Sequence, residues 1–182
     1  MRSTFRKIAL VAAFAASAIP MARAQSTDND SCTNATVSGD YAFTISGQIF
    51  IPNGPTIERK GIAMMHFDGV GGFTQVDFVL SNVPPPGTSP TDPVTGFHTE
   101  EKGTYTVHSD CTGTFTIHMP DVTTPSGGTI SGAIIVVKFV LSHGGRAIHA
   151  IVTSLTPPGA KGPVPALIVS EGHKLGSVVY ED

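Results

Sequence analysis

The chain has 182 residues, 11 Lys and Arg against 14 Asp and Glu, no Trp and 2 Cys. Four of the basic residues, Arg2, Arg6, Lys7 and Arg23, lie in the first 24 positions, so the rest keeps seven basic residues against all fourteen acidic ones, a formal charge of about −7. An acidic chain without a basic cluster has no electrostatic footprint for nucleic-acid backbones or anionic lipid surfaces, and about 158 residues suit one domain with one core.

The start reads as a secretory signal: Arg2, Arg6 and Lys7 precede an apolar run over 8–19, and Ala22-Arg23-Ala24 forms a small-x-small cleavage signature. Cleavage before Gln25 is expected, by the Sec route, giving a secreted or periplasmic product with residues 1–24 removed and 25–182 as a single domain. The apolar run is too short to cross a bilayer, and no later stretch is long and uncharged enough to do so. No cysteine stands just after the cleavage point to carry a lipid.

After the leader, Gly, Pro, Thr and Val/Ile runs recur at short intervals and helical periodicity is scarce, the pattern of an all-β domain. Eight strands are predicted, over 40–51, 57–67, 73–81, 96–108, 113–119, 130–142, 146–154 and 165–180. Turn signals separate them at Asn53-Gly54-Pro55, Asp68-Gly69, Ser126-Gly127-Gly128 and Gly144-Gly145. Short connections favour antiparallel neighbours, and an up-and-down meander of eight strands protects its two edges by closing into a barrel.

In the second and third strands, a pairing of Phe67 near Thr74 sets Ala63, Met65, Phe67, Val76, Phe78 and Leu80 on one apolar face, with His66, Gln75 and Asp77 sharing the other. An Asp beside a His can orient an imidazole for acid/base work, but no nucleophile is placed beside this pair, and a surface hydrogen bond is its ordinary meaning. The stretch at 81–96, SNVPPPGTSPTDPVTG, has five prolines and no periodicity. It reads equally as a lid over a barrel mouth and as a stiff surface excursion.

GTYTVHSDCTGTFTIHMP, 103–120, reads as a hairpin with Cys111 at its tip. Pairing positions that sum to 222 sets Val107 against Phe115 and Tyr105 against Ile117 on one face, with Thr and His on the other. His118 then sits opposite Thr104, four residues from His108 or about 13 Å. These two histidines cannot share a metal whose bonds are about 2 Å. Cys32 and Cys111, an even pair in an exported chain, are expected to be bonded, with the N-terminal segment stapled across that end of the barrel.

AIIVVKFVLS, 133–142, is apolar on both faces: Ala133, Ile135, Val137, Phe139 and Leu141 on one, Ile134, Val136 and Val140 around Lys138 on the other. A barrel has one inside, so the second set calls for a cover, from the N-terminal segment or from another copy in a homo-oligomer. His98 with Glu100 and Glu101, His149, and the Glu171/His173 pair have no assigned partners at this level. No HExxH, GxSxG, phosphate-binding or dinucleotide motif occurs, so neither a metal nor a cofactor is called for and the catalytic residues are unknown.

ATVSGDYAFTISG (35–47), MMHFDGVGGFTQ (64–75) and GTYTVHSDCTGTFTI (103–117) resemble exported bacterial proteins built as small eight-stranded barrels, similar in fold to the allene oxide cyclase and lipocalin-like (calycin-like) barrels. The resemblance implies a hydrophobic barrel able to hold a small apolar molecule, in some members put to use for cyclisation. No catalytic residue carries over. The expected function is therefore binding of a small hydrophobic ligand, with Phe43, Phe67, Phe78, Tyr105, Phe115 and Phe139 lining the barrel. Each of these also serves as plain core in a barrel this narrow. The alternatives are an isomerase or cyclase that folds a small apolar substrate against the walls, and a structural protein with a packed barrel.

Overall fold

A computed structural model describes residues 31–83, 96–123 and 127–176. The predicted signal and its cleavage point, most of the proline-rich stretch and the last six residues lie outside the described residues. The strands are β1 Gly39–Phe50, β2 Thr56–Phe67, β3 Gly72–Ser81, β4 His98–Val107, β5 Thr112–His118, β6 Val122–Thr123, β7 Thr129–Ile130, β8 Ile134–Ser142, β9 Ala147–Thr156 and β10 Ala166–Lys174. Eight of them close a barrel in the order β1-β10-β9-β8-β5-β4-β3-β2, sealed by antiparallel pairing of β1 with β10 from Tyr41↔Lys174 to Ile49↔Ala166. This is the predicted up-and-down antiparallel β-barrel. Among the described residues no helix is long and apolar enough to cross a membrane.

The predicted strand over 130–142 divides. Ile130 belongs to a two-stranded ribbon, where it pairs with Val122, and the barrel strand begins at Ile134. Gly132 lies between them, and a Cβ there would sit 2.0 Å from the Met119 carbonyl oxygen, so the backbones pass too closely for any side chain. The last barrel strand ends at Lys174, and the part of its predicted span beyond 176 lies outside the described residues.

The register of the β4–β5 hairpin differs from the predicted one by two residues: Tyr105 pairs with Phe115 and Val107 with Gly113. The loop is tighter than expected. His108 N–H donates to the Thr112 carbonyl (2.8 Å), Cys111 N–H donates to that of His108 (3.0 Å), and Cys111 takes the left-handed conformation at φ 64. Asp110 Oδ1 accepts from both the backbone and the hydroxyl of Thr112 (3.0 and 2.7 Å). Because side chains alternate with period two, a shift of two leaves the predicted faces intact. It moves His118 opposite Lys102, further from His108 than expected.

Cys32 and Cys111 are bonded, with Cα atoms 5.0 Å apart. The chain then crosses the barrel end as a single 3-10 turn, Asn34–Val37, which buries Val37 completely. Asn34 ties this plug down on three sides: its Oδ1 accepts from Val107 N–H (2.8 Å), its Nδ2 donates to the Val70 carbonyl (3.0 Å), and its own carbonyl accepts from the Tyr105 hydroxyl (3.1 Å). The Tyr41 hydroxyl donates to the Gly145 carbonyl of the β8–β9 turn at the same end.

Beneath the plug the barrel is filled by rings in contact: Tyr41 with Phe67, Phe67 with Tyr105 and Phe73, Phe73 with Phe115, and Phe115 with Phe139, at centroid distances of 5.1 to 5.8 Å. Three of the rings lie over a glycine directly across the ladder: Phe43 over Gly172, Phe73 over Gly103 and Phe139 over Gly113. A Cβ on any of these glycines would fall 2.2 to 2.5 Å from a ring carbon. The alternation of large and missing side chains is what lets so many rings share one narrow interior.

The disulfide closes a span of 79 residues, and the chain-entropy model assigns such a loop about 4 kcal/mol. Replacing Cys32 and Cys111 together by Ser is expected to lower the unfolding free energy in urea by roughly 2–4 kcal/mol without altering the far-UV circular dichroism of the barrel.

Candidate functional site

Inward-pointing residues differ between the two ends. Around the plug, Tyr41, Phe43, Met65, Phe67, Phe73, Tyr105 and Phe115 are all sealed from solvent. Toward the other end the inward positions Ile45, Ile57, Arg59, Val79, Ile135, Val152 and Ser170 are only half-buried. Ile45, Ile135 and Val152 touch both the aromatic cluster and a smaller aliphatic one built on Ile49, Leu155 and Ile168.

Set into this second half is a polar group that sequence reasoning placed elsewhere. Phe67 pairs with Phe73, not Thr74, so β3 turns Phe73, Gln75 and Asp77 inward. Val76, Phe78 and Leu80 face outward. The registering element is the Asp68 carboxylate, whose Oδ1 accepts from three successive N–H groups, Val70, Gly71 and Gly72 (2.8, 2.9 and 2.9 Å). These bonds hold the Asp68 carboxyl below its ordinary pKa range. Phe78, expected in the lining, therefore packs on the outer surface against Phe97, with centroids 5.7 Å apart. Phe43, Phe67, Tyr105, Phe115 and Phe139 point inward and belong to the sealed core.

The β3–β4 ladder carries a bulge: Gln75 pairs with Glu101 but Asp77 with His98, so two β4 residues, Thr99 and Glu100, oppose the single Val76. His98 and Glu101 are three apart and would point to opposite faces of a regular strand. The bulge brings both to Asp77. His98 Nδ1 lies 2.8 Å from Asp77 Oδ1. Gln75 Nε2 donates to Glu101 Oε2 (2.6 Å) and to Asp77 Oδ2 (3.3 Å). Among the described residues Gln75, Asp77 and Glu101 are the buried polar or charged side chains, with Glu101 only 1% exposed, whereas His98 keeps 47% of its side chain exposed.

Two buried atoms here have no hydrogen-bond partner among the described residues, Glu101 Oε1 and Arg59 Nε. Burial, reinforced by the negative charge of Asp77, pushes the Glu101 carboxyl up to about 7, against the pull of the Gln75 hydrogen bond and of His98. Burial also draws the Arg59 guanidinium below its ordinary value, an effect Asp77 opposes. The arrangement can hold a polar or charged group by complementary charges in a poorly hydrated space.

The remaining histidines lie outside. His66 pairs with Asp40 (2.7 Å) rather than Asp77, both more than half exposed. Glu171 lies 3.6 Å from His149, its cross-strand partner, rather than joining His173, and Ser142 Oγ is 3.2 Å from His149 Nε2. This line of side chains stands on the solvated outer surface, where water competes for each bond.

The molecule is thus a closed eight-stranded antiparallel β-barrel, stapled and plugged at one end, with a buried polar cluster toward the other. Neither a protein-family model nor a curated protein matches the chain. Among solved structures it is similar to an S-type phycobiliprotein lyase from Guillardia theta, at 7% identity and a TM-score of 0.38, over 79% of this chain and 91% of that one.

The Glu101 carboxyl gives a pH test. Its folded value of about 7 lies above its unfolded value near 4.5, so the fold favours the protonated form. Stability is then fullest below pH 4.5, declines as pH rises toward 7 and levels off above it. Glu101→Gln carries no such charge. In metal-free buffer, the stability of this variant relative to wild type is expected to improve by about 2–3 kcal/mol between pH 4.5 and 8, read from urea midpoints.

Proposed function

We propose that the protein is an exported binding barrel whose unplugged half takes a small molecule with an apolar body and a polar head. The observation that carries this reading is the asymmetry of the interior: rings locked together at one end, half-buried Ile45, Ile135 and Val152 beside unpartnered Arg59 Nε at the other. Five of the expected aromatic residues then act as the floor beneath the ligand, and the aliphatic side chains act as its walls. Arg59 receives the head, because its buried Nε–H, without an acceptor among the described residues, gains most from one. Export is supported by the Cys32–Cys111 disulfide, which fits an oxidising compartment such as the periplasm or the extracellular space.

Anilinonaphthalene sulfonate, an apolar body with an anionic head, is a suitable probe. Its fluorescence enhancement with the mature protein is expected to saturate. Arg59→Gln should weaken binding roughly tenfold, the scale of one charge-assisted hydrogen bond. Val152→Trp, which adds bulk among these inward side chains, should abolish it, and the outward Phe78→Ala should leave it unchanged. Binding that survives Val152→Trp would place the probe outside the barrel and defeat the reading.

A second reading concerns the outer surface and involves another copy of this chain. Val140 (48% exposed), Ile151 (42%) and Val169 (45%) come from three adjacent strands, with Ile151 directly opposite Val169 and Lys138, and Ile134 lies further along β8. Val136, expected on the same face, is half-buried beside the bulge that shifts β8 against β9. Burial of such side chains against a partner favours association, with Lys138 lying along the rim. Sedimentation over a wide concentration range is expected to show a homo-oligomer that Val140→Glu dissociates with the fold intact. A wild-type monomer at every concentration would refute this.

A further inference from the structure

We propose that Asp77, His98 and Glu101 form a binding site for a divalent first-row transition-metal ion. One donor atom from each residue can be chosen so that all three lie within 4.8 Å of one another. Ligands set at right angles on an ion with bonds of about 2.1 Å stand about 3 Å apart, and His98 Nδ1 is 2.8 Å from Asp77 Oδ1. Small adjustments of side chains already converged on one point are all that binding requires.

The hydrogen bonds divide the carboxylate oxygens in the way a metal site needs. Gln75 occupies Asp77 Oδ2 and Glu101 Oε2 with a single amide nitrogen, orienting both groups from behind. Asp77 Oδ1 meets His98 Nδ1 at 2.8 Å, a contact that an ion seated between the two would replace. Glu101 Oε1 is left buried with no partner among the described residues, on a side chain 1% exposed. A carboxylate oxygen in such surroundings is stabilised by a cation or a donor. The nearby Arg59 is not the intended partner: its Nε is itself unpartnered, and among the described residues no ion pair joins Arg59 to either carboxylate.

The chain assembles this set through an irregularity. Without the β-bulge opposite Val76, His98 would face away from Glu101, and bulges commonly re-aim a side chain in this manner. One imidazole and two carboxylates make a mixed nitrogen and oxygen donor set, which suits zinc, manganese, iron or cobalt better than the all-oxygen preference of calcium and magnesium. Three protein ligands leave coordination positions open. His98, with 47% of its side chain exposed, marks the side from which the ion and any further ligand would enter. The site is independent of the organic ligand proposed above, since an ion can bind with the barrel otherwise empty.

Mature protein stripped with a chelator and titrated with zinc by calorimetry, then with cobalt by visible absorption, tests the assignment. One ion per chain is expected. Glu101→Gln and Asp77→Asn, which keep side-chain shape, should each lower affinity at least tenfold, and His98→Ala, at a partly exposed position, should do the same. Gln75→Leu retains all three ligands and should weaken binding 10- to 100-fold, as loss of an orienting hydrogen bond does elsewhere. Asp40→Asn, at the outer His66 pair, should have no effect. Wild-type protein that binds no zinc at micromolar concentrations overturns the proposal. So does affinity that survives Glu101→Gln and His98→Ala but falls with Asp40→Asn, which would assign the ion to the surface.

Discussion

The Asp68 carboxylate, bonded to three consecutive backbone N–H groups, decides how the interior of this barrel is furnished. It shapes the four-residue link between β2 and β3 so that Phe67 meets Phe73. Side chains alternate along a strand, so a register one residue away would send Gln75 and Asp77 into solvent and bring Val76 and Phe78 inside. The inward placement of Gln75 and Asp77 follows from that one pairing. Burying two polar side chains is unfavourable unless they are satisfied. Here Gln75, Glu101 and His98 supply the partners.

The two ends of the barrel solve different problems. At the disulfide end, packing is completed by the plug Asn34–Val37, whose polar atoms are matched to Val107, Val70 and Tyr105, and the rings below interlock over glycines. Rigidity at that end leaves no room for a guest. At the far end the same strands carry aliphatic and polar side chains that are less deeply buried. A rigid floor under a more accessible half is a general way of presenting a small site on an otherwise packed scaffold.

Closure of the sheet removes the edges through which an open meander would aggregate. It also leaves a whole outer surface to be dressed. Much of that surface is Thr, His and charged residues, but the described residues leave Val140, Ile151 and Val169 uncovered, and the chain from Cys32 to Val37 runs over the barrel end rather than over them.

From the amino-acid sequence alone came the all-β class, the eight strands, the meander order and the bond between Cys32 and Cys111, because alternation, turn residues and an even cysteine pair are local signals with local causes. The inward and outward faces of the Tyr105 and Phe115 hairpin were legible too, since a slip by two residues preserves them. The site was not legible. Residues 73–80 offer an apolar choice on either parity, Phe73 and Val79 against Val76, Phe78 and Leu80, and periodicity has no means of choosing when both faces qualify. One signal was present: an Asp followed by Gly-Val-Gly-Gly after Phe67 reads as a capped tight loop, which would have favoured the shorter pairing. The convergence of Asp77, His98 and Glu101 had no such trace, because His98 and Glu101 share a face only through a bulge between two strands. A bulge is a property of the ladder as a whole, and only the closed barrel, with each strand held by both neighbours, decides where the extra residue goes.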